Sequence, residues 1–333
     1  MSPLDARPAD LAVLGDCNPD VLVLGGDVTP AFGQQEKLVG SIDLVVGGSA
    51  AITAVAAARL GLNVALVAAV GDDPAGAFML DQLTREGVDV SAVVVRAQTP
   101  TGMTVALSRG RDRAILTALG AMTSLTAADV PVTLLAQARH VHVSAYFLLE
   151  DSLGPGLADL LSAARAGGAT TSLDTNWDPS GRWGDERLAA AITQTDLLLP
   201  NEAEALRLSG AGSLDAAVSA LGAVGRRLVV KLGKRGVICV DRSAPHQASV
   251  STRQQVSVPA VTPVDTTGAG DCFNAGLIAG LLQGLALPAA AALGCATGAL
   301  STGGLGGTAS APDLATAARL AALASETNGP LSE

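Results

Sequence analysis

The run Val264-Asp265-Thr266-Thr267-Gly268-Ala269-Gly270-Asp271-Cys272-Phe273-Asn274-Ala275-Gly276 sets a glycine-rich turn directly before a long helix of Ala, Leu and Gly. Backbone N–H groups at a helix start lack intrahelical partners and, with the helix dipole, favour an anion; small residues let a phosphate approach the main chain. Asp271 falls in the first turn of that helix. A carboxylate beside an anion site is electrostatically awkward unless it takes a proton from an attacking group. Phosphoryl transfer to an alcohol needs that pairing: the base accepts the hydroxyl proton as the O–P bond forms, while fixed donors stabilise the phosphoryl oxygens. From spacing alone, a plain helix-start acid remains an alternative for Asp271.

Short apolar runs alternating with helical patterns are the elements that must hold this turn. Leu11–Leu14, Val64–Val67, His140–Val143, Thr171–Leu173, Asp196–Leu199 and Leu228–Val230 read as strands, and about 49–60, 75–86 and 156–166 as helices. Strand–helix alternation predicts an α/β fold with a doubly wound, mostly parallel sheet covered on both faces. Residues 20–46 and 88–117 break the rhythm with strand-like pieces, among them Val93-Val94-Val95, and turns such as Arg109-Gly110-Arg111-Asp112. They read as hairpins forming a small second sheet, a lid over the strands' carboxyl ends, where ligands bind in such folds. The last residues, from Ser325, read as a frayed tail.

Bulk properties narrow the function. Hydrophobic residues make up 49% of the 333 and aromatics 2%, so the core must be closely packed Ala, Val and Leu. A formal charge of -10 argues against nucleic acid as a partner. Cys17, Cys239, Cys272 and Cys295 lack the short paired spacing of a zinc site or disulfide framework, and the amino terminus lacks a signal-peptide pattern. A cytoplasmic protein is the expectation. The uncharged stretch from Cys272 to Pro312 is divided by Gly284 and Pro288, has no flanking basic residues, and reads as two buried helices with no membrane partner.

The Asp-Thr-Thr-Gly-Ala-Gly-Asp signature resembles that of the ribokinase (PfkB) family of carbohydrate kinases. Gly47-Gly48-Ser49-Ala50-Ala51, Val70-Gly71-Asp72-Asp73-Pro74-Ala75-Gly76, Asp174-Thr175-Asn176, Asn201-Glu202-Ala203-Glu204 and Lys231-Leu232-Gly233-Lys234-Arg235-Gly236 extend the likeness from about Val13 to Asp313. The resemblance implies a single ribokinase-like kinase domain over 1–333 and ATP-dependent phosphorylation of a small sugar or sugar-like acceptor. It implies Asp271 as the base and the amides of Gly268, Ala269 and Gly270 as the anion hole. Asn201 and Glu204 would organise Mg2+ and the nucleotide phosphates, against the plainer reading of a helix cap and a surface acid. Lys231, Gly233 and Gly236 would belong to the nucleotide-binding hairpin. Asn18, Asp20, Gly47, Gly48 and Asn176 would hold the acceptor. Asp265 and Thr267, with Ser301, Gly304, Gly306 and Ser310, resemble the K+ site of potassium-activated members.

Departures from the family pattern bear on specificity. Ile52 stands where relatives usually carry Asn, and Met122 likewise. Tyr146 and Phe147 offer either a stacking surface or core packing. A nucleoside kinase and a non-catalytic sugar-binding relative share these motifs and are the alternatives; a dinucleotide-binding dehydrogenase would need glycines that Gly15-Asp16-Cys17-Asn18 does not supply. Arg182 reads as a solvated loop residue or a ligand for an acidic group. His140 and His142 point the same way along one strand and read as structural, there being no third metal ligand at suitable spacing. Exposed lid edges suggest a homodimer.

Overall fold

Strands that are apolar at every position need cover on both sides. In Leu11–Leu14, Leu11 and Val13 enter one hydrophobic cluster and Ala12 and Leu14 another, all fully buried. The computed structural model describes residues 9–109, 112–242 and 252–327. In chain order its strands are Leu11–Leu14 (β1), Asn18–Leu24 (β2), Ser41–Gly47 (β3), Val64–Val67 (β4), Ala69–Gly71 (β5), Val94–Arg96 (β6), Met103–Arg109 (β7), Asp112–Ala118 (β8), His140–Val143 (β9), Thr170–Leu173 (β10), Leu197–Leu198 (β11), Arg227–Lys231 (β12), Val237–Asp241 (β13) and Thr252–Val256 (β14). The main sheet runs β14-β13-β12-β11-β10-β9-β1-β4. It is parallel from β12 to β4, with β13 and β14 antiparallel at one edge.

Helices cover one face through Leu157, Leu161, Leu188, Ala217 and Leu221, and the other through Ala54, Val55, Met79, Leu277 and Ala291. The uncharged stretch lies in the helices Ala269–Leu282 and Leu287–Ser301, both on the second face. A Cβ on Gly276 would lie 2.4 Å from Thr297 Oγ1 and 2.9 Å from Gly294 Cα, so small residues let these helices touch nearly backbone to backbone. Among the described residues no helix is long and apolar enough to cross a membrane. All four cysteines are free and buried.

The second sheet has the order β3-β2-β7-β8: two antiparallel pairs joined by a parallel seam between β2 and β7. Val93-Val94-Val95 does not join it as the sequence suggested. Instead Val94–Arg96 pairs in parallel with Ala69–Gly71, where Val94 packs against the main core. The strand expected over 196–199 shortens to Leu197–Leu198, because Pro200 has no N–H to extend the ladder. The first three residues of the expected tail, 325–327, close the helix Leu314–Thr327; the rest of it, and Gly110 and Arg111 of the predicted turn, lie outside the described residues. The carboxyl ends of β1, β9, β10, β11 and β12 lead to Asp16, Ser144, Asp174, Asn201 and Lys231, which therefore share one edge of the sheet.

Candidate active site

Gly268 caps the helix Ala269–Leu282 with φ 70°, and a Cβ there would lie 2.6 Å from Gly307 Cα. Only glycine meets both demands. Asp265 sets the turn: its Oδ1 accepts from Thr267 N (2.9 Å) and Thr267 Oγ1 (2.8 Å), and its Oδ2 accepts from Gly306 N (2.9 Å). Burial would raise this carboxyl, but those donors, with Arg113 nearby, hold it below the usual carboxylate range. Ile52 is buried and wedged between the two glycine segments, its Cγ2 3.0 Å from a Cβ built on Gly268 and its Cδ1 2.4 Å from one on Gly307. It shapes the turn through packing.

Asp271 lies in the first helical turn and is only 9% exposed. Burial pushes its carboxyl well above the usual range, the Asp174 charge adds to this, and Lys231 and a hydrogen bond from Ser49 oppose it. Lys231, the last residue of β12, donates to Asp174 Oδ2, while Asn274 Nδ2 donates to the same oxygen at 2.6 Å. A Cβ on Gly270 would be 3.7 Å from Lys231 Nζ, so the ammonium lies beside the glycine turn. Burial disfavours its charge, but Asp174, Glu204 and Asp271 overcome that and raise its pKa.

Asn201 and Glu204 form a reciprocal helix cap: Glu204 N donates to Asn201 Oδ1 at 2.9 Å, and Asn201 N donates to Glu204 Oε2 at 2.8 Å. The acid is no surface residue, however. Glu204 is buried, and burial followed by the charge of Asp174 pushes it up to about 7. The Gly233–Arg235 turn joins β12 to antiparallel β13, with both Gly233 and Gly236 at positive φ.

On the other side of Asp271, Asn18 Nδ2 donates to Asp20 Oδ1 and Thr104 Oγ1, each at 3.2 Å. Burial, then the Asp16 charge, pushes Asp20 up to about 7, with Arg113 opposing. Asp20 lies across Gly47, where a Cβ would sit 2.0 Å from its Oδ1. Gly48 caps the helix Ser49–Arg59, whose first amides, Ser49 N and Ala50 N, bind the buried Asp16 carboxylate at 3.0 and 2.9 Å. Asn176, at φ 57°, donates to Ser49 Oγ at 2.8 Å and accepts from Ala145 N at 2.7 Å. Among the residues expected to hold a monovalent cation, the Ser301 hydroxyl donates to Gly298 O at 2.9 Å, and Ser310 Oγ lies 2.5 Å from a Cβ built on Gly304. Carboxylate, hydroxyl and carbonyl oxygens are the hard donors that such an ion takes.

The structure thus gathers the turn, Lys231, Glu204, Asn201, Asn176, Asn18 and Asp20 around the carboxyl edge of the sheet. Four residues given no role from sequence belong with them: Asp16, Asp174, Asn274 and Arg113. A signal existed for Asp16 and Asp174, since each follows an apolar strand end within two residues. The stacking surface is not found: Tyr146 and Phe147 are buried and lead through Trp183 to Trp177 in edge-on ring contacts. Met122 is also fully buried. Arg182 pairs with Glu150. His140 and His142 belong to a buried ladder, Thr170–His140–Ser172–His142–Ser144, with links of 2.7 to 2.9 Å; burial lowers their pKa values to about 3 and about 4, which keeps both neutral. Among the described residues no group of three or more His, Cys, Asp or Glu side chains is set to hold a metal ion by itself.

The chain is 29% identical over 311 residues to ribokinase of Haemophilus influenzae, covering 91% of this chain and 95% of that one. It is 33% identical over 279 residues to fructokinase of Klebsiella pneumoniae, covering 79% and 85%. The structure of Arabidopsis thaliana ribokinase complexed with ribose and ATP superimposes with a TM-score of 0.78 at 22% identity, over 94% of this chain and 98% of that one, a likeness of fold. The model of the pfkB family carbohydrate kinases matches residues 9–314. The chain belongs to that family of ATP-dependent sugar phosphotransferases.

Proposed function

We propose that the protein transfers the γ-phosphoryl group of ATP to a hydroxyl of a small sugar or sugar-like acceptor, with Asp271 as general base. The observation that carries this reading is a buried carboxyl of raised pKa in the first turn of a helix that starts on a positive-φ glycine beside the Lys231 ammonium. The acceptor hydroxyl gives its proton to Asp271 as its oxygen attacks the γ-phosphorus; the bond to the β–γ bridging oxygen breaks and ADP leaves. The amides of Gly268, Ala269 and Gly270 bind the transferred oxygens, and Lys231 offsets their charge from beside Gly270. Asn201, Glu204, Gly233 and Gly236 hold the nucleotide. Asn18, Asp20 and Asn176 hold the acceptor, with Gly47 and Gly48 allowing close approach.

A single carboxylate with substrate phosphates and water is a usual Mg2+ setting, and Glu204 fits it. Bound Mg2+ supplies charge neutralisation to the phosphates. The Asp265 loop, with Thr267, Ser301, Gly304, Gly306 and Ser310, would hold K+, whose charge would help to order the anion-hole turn. The β3-β2-β7-β8 sheet acts as a lid that excludes water. Its outward side chains Ile42, Leu44 and Leu116 are exposed, which supports a homodimer through the lid. The setting is cytoplasmic. A nucleoside acceptor is the second reading, favoured by the ring of Trp177, 56% exposed next to Asn176.

The test is ADP release with ATP, Mg2+ and K+ against neutral sugars, sugar acids, sugar phosphates and nucleosides, with Asp271→Asn alongside. Acceptor-dependent turnover that disappears in the variant supports the reading. Acceptor binding without turnover in the wild type identifies a binding protein.

A further inference from the structure

Side chains alternate along a strand, so Arg113, Ile115 and Thr117 share one face of β8. Pairing carries that face across the small sheet: Thr117 is opposite Thr104, and Thr104 is opposite Asp20. Their polar groups form a row, with Thr104 Oγ1 3.2 Å from Thr117 Oγ1 and 3.2 Å from Asn18 Nδ2. The same face carries Leu22 and Val45, which lie 3.5 and 3.0 Å from a Cβ built on Gly306, so it is the face turned toward the catalytic loops. At its far end Arg113 donates to Thr267 Oγ1, one residue before the anion-binding glycine, with Asp265 Oδ1 3.7 Å away. Its charge also reaches Asp20, where it opposes the effects of burial and Asp16. The guanidinium thus sits at the transfer turn, on the face of the small sheet that also carries Asp20, and that is the face an acceptor of Asp271 would meet.

We propose that Arg113 is a specificity-determining residue that binds an oxyanion substituent of the acceptor, making the substrate an anionic sugar derivative, a sugar acid or a sugar phosphate. This rests on the kinase reading above. A guanidinium presents planar paired donors that match a carboxylate or phosphate two at a time. Without it, such a substrate would meet Asp16, Asp20 and Asp271; both cations of the site have acidic partners, Lys231 in the buried Asp174 and Arg113 in Asp265 at 3.7 Å, and the oxyanion would share Arg113 with Asp265. Specificity through charge also fits a pocket in which Ile52 and Met122 are both buried in packing and offer no hydroxyl partner.

The two Trp residues, Trp177 and Trp183, permit acceptor binding to be followed by fluorescence without ATP, in parallel with ADP release. The probes are ribose and fructose as neutral sugars, 2-dehydro-3-deoxygluconate as a sugar acid, and fructose 6-phosphate. The expected result is binding at least about 30-fold tighter for one anionic probe than for either neutral one, a preference of about 2 kcal/mol. Arg113→Gln should reduce that preference to threefold or less, and Arg113→Lys should restore part of it. The sugar acid and the phosphate ester then tell which oxyanion is meant. Equal or tighter binding of a neutral sugar by the wild type overturns the proposal, as does a loss in Arg113→Gln that is equal for neutral and anionic probes. Binding with the expected preference but no turnover leaves this inference standing and defeats the kinase reading.

Discussion

The two ends of the parallel strands treat charge in opposite ways. At the amino end, cations and anions are matched at the surface: Arg139 with Asp10, Arg165 and Arg226 with Asp196, and Arg227 with Asp241. Between the ends, the histidine ladder is polar but neutral. At the carboxyl end, Asp16, Asp20, Asp174, Glu204 and Asp271 are all buried, with a half-buried cation, Lys231, among them. Burying unbalanced carboxylates costs stability, and the raised pKa values of Asp16, Asp20, Glu204 and Asp271 are that cost. Such an edge is suited to receive a proton, a divalent cation and a phosphoryl group, while the matched edge is suited to hold strands in register.

Substitutions at the two ends should separate accordingly. Asp271→Asn should fold normally and lower kcat by about 10²-fold or more in a coupled ADP assay, as loss of a general base does. Gly268→Ala, which strains a positive φ and drives a methyl toward Gly307, should lower kcat by about 10-fold to 10²-fold through the displaced amides. Lys231→Met should lower kcat by about tenfold and also move its acid limb upward in pH, because Asp271 must be ionised to act and loses a cation that favours ionisation. At the matched end, Asp196→Ala removes the acceptor for Thr171 N at 3.0 Å and a partner of Arg226. It should cost about 1–3 kcal/mol, read as a few degrees in Tm, with kcat unchanged. A large loss of kcat there would break the contrast. The smallest effect concerns pH. The folded pKa values of Asp20 and Glu204, raised to about 7, make the folded state bind protons more tightly than the unfolded state. Stability should therefore be greatest below about pH 4 as far as these two groups decide it, and decline as pH rises to 7 and beyond. Asp20→Asn should flatten that decline in a Tm series.

The main sheet was legible because β1 and β4 are apolar at every position and the other parallel strands, β9 and β10 with their one polar face included, alternate with helical patterns. The transfer turn was legible because its glycines, its acid and its helix are contiguous. Pairing partners were less so: nothing in Val94-Val95-Arg96 says that it joins Ala69–Gly71 rather than the small sheet, since a short valine run fits any edge. Asp174 has no role legible in the sequence because its partners, Lys231 and Asn274, are 57 and 100 residues away. For Glu204 the plainer reading holds only in part: the helix-cap bonds are there, but the acid is buried near Asp174 and Lys231 and does not lie at the surface. Arg113 had no local signal at all; only strand register brings it to Thr267.

Asp20 and Gly47 behave as a single heritable unit. The carboxylate rests where any larger residue at 47 would place its first side-chain carbon, so neither position is free to drift while the other is kept. An engineer wishing to recast this enzyme for a new acceptor must change the two together, and a lineage that has lost the glycine should be found to have shortened or removed the acid as well.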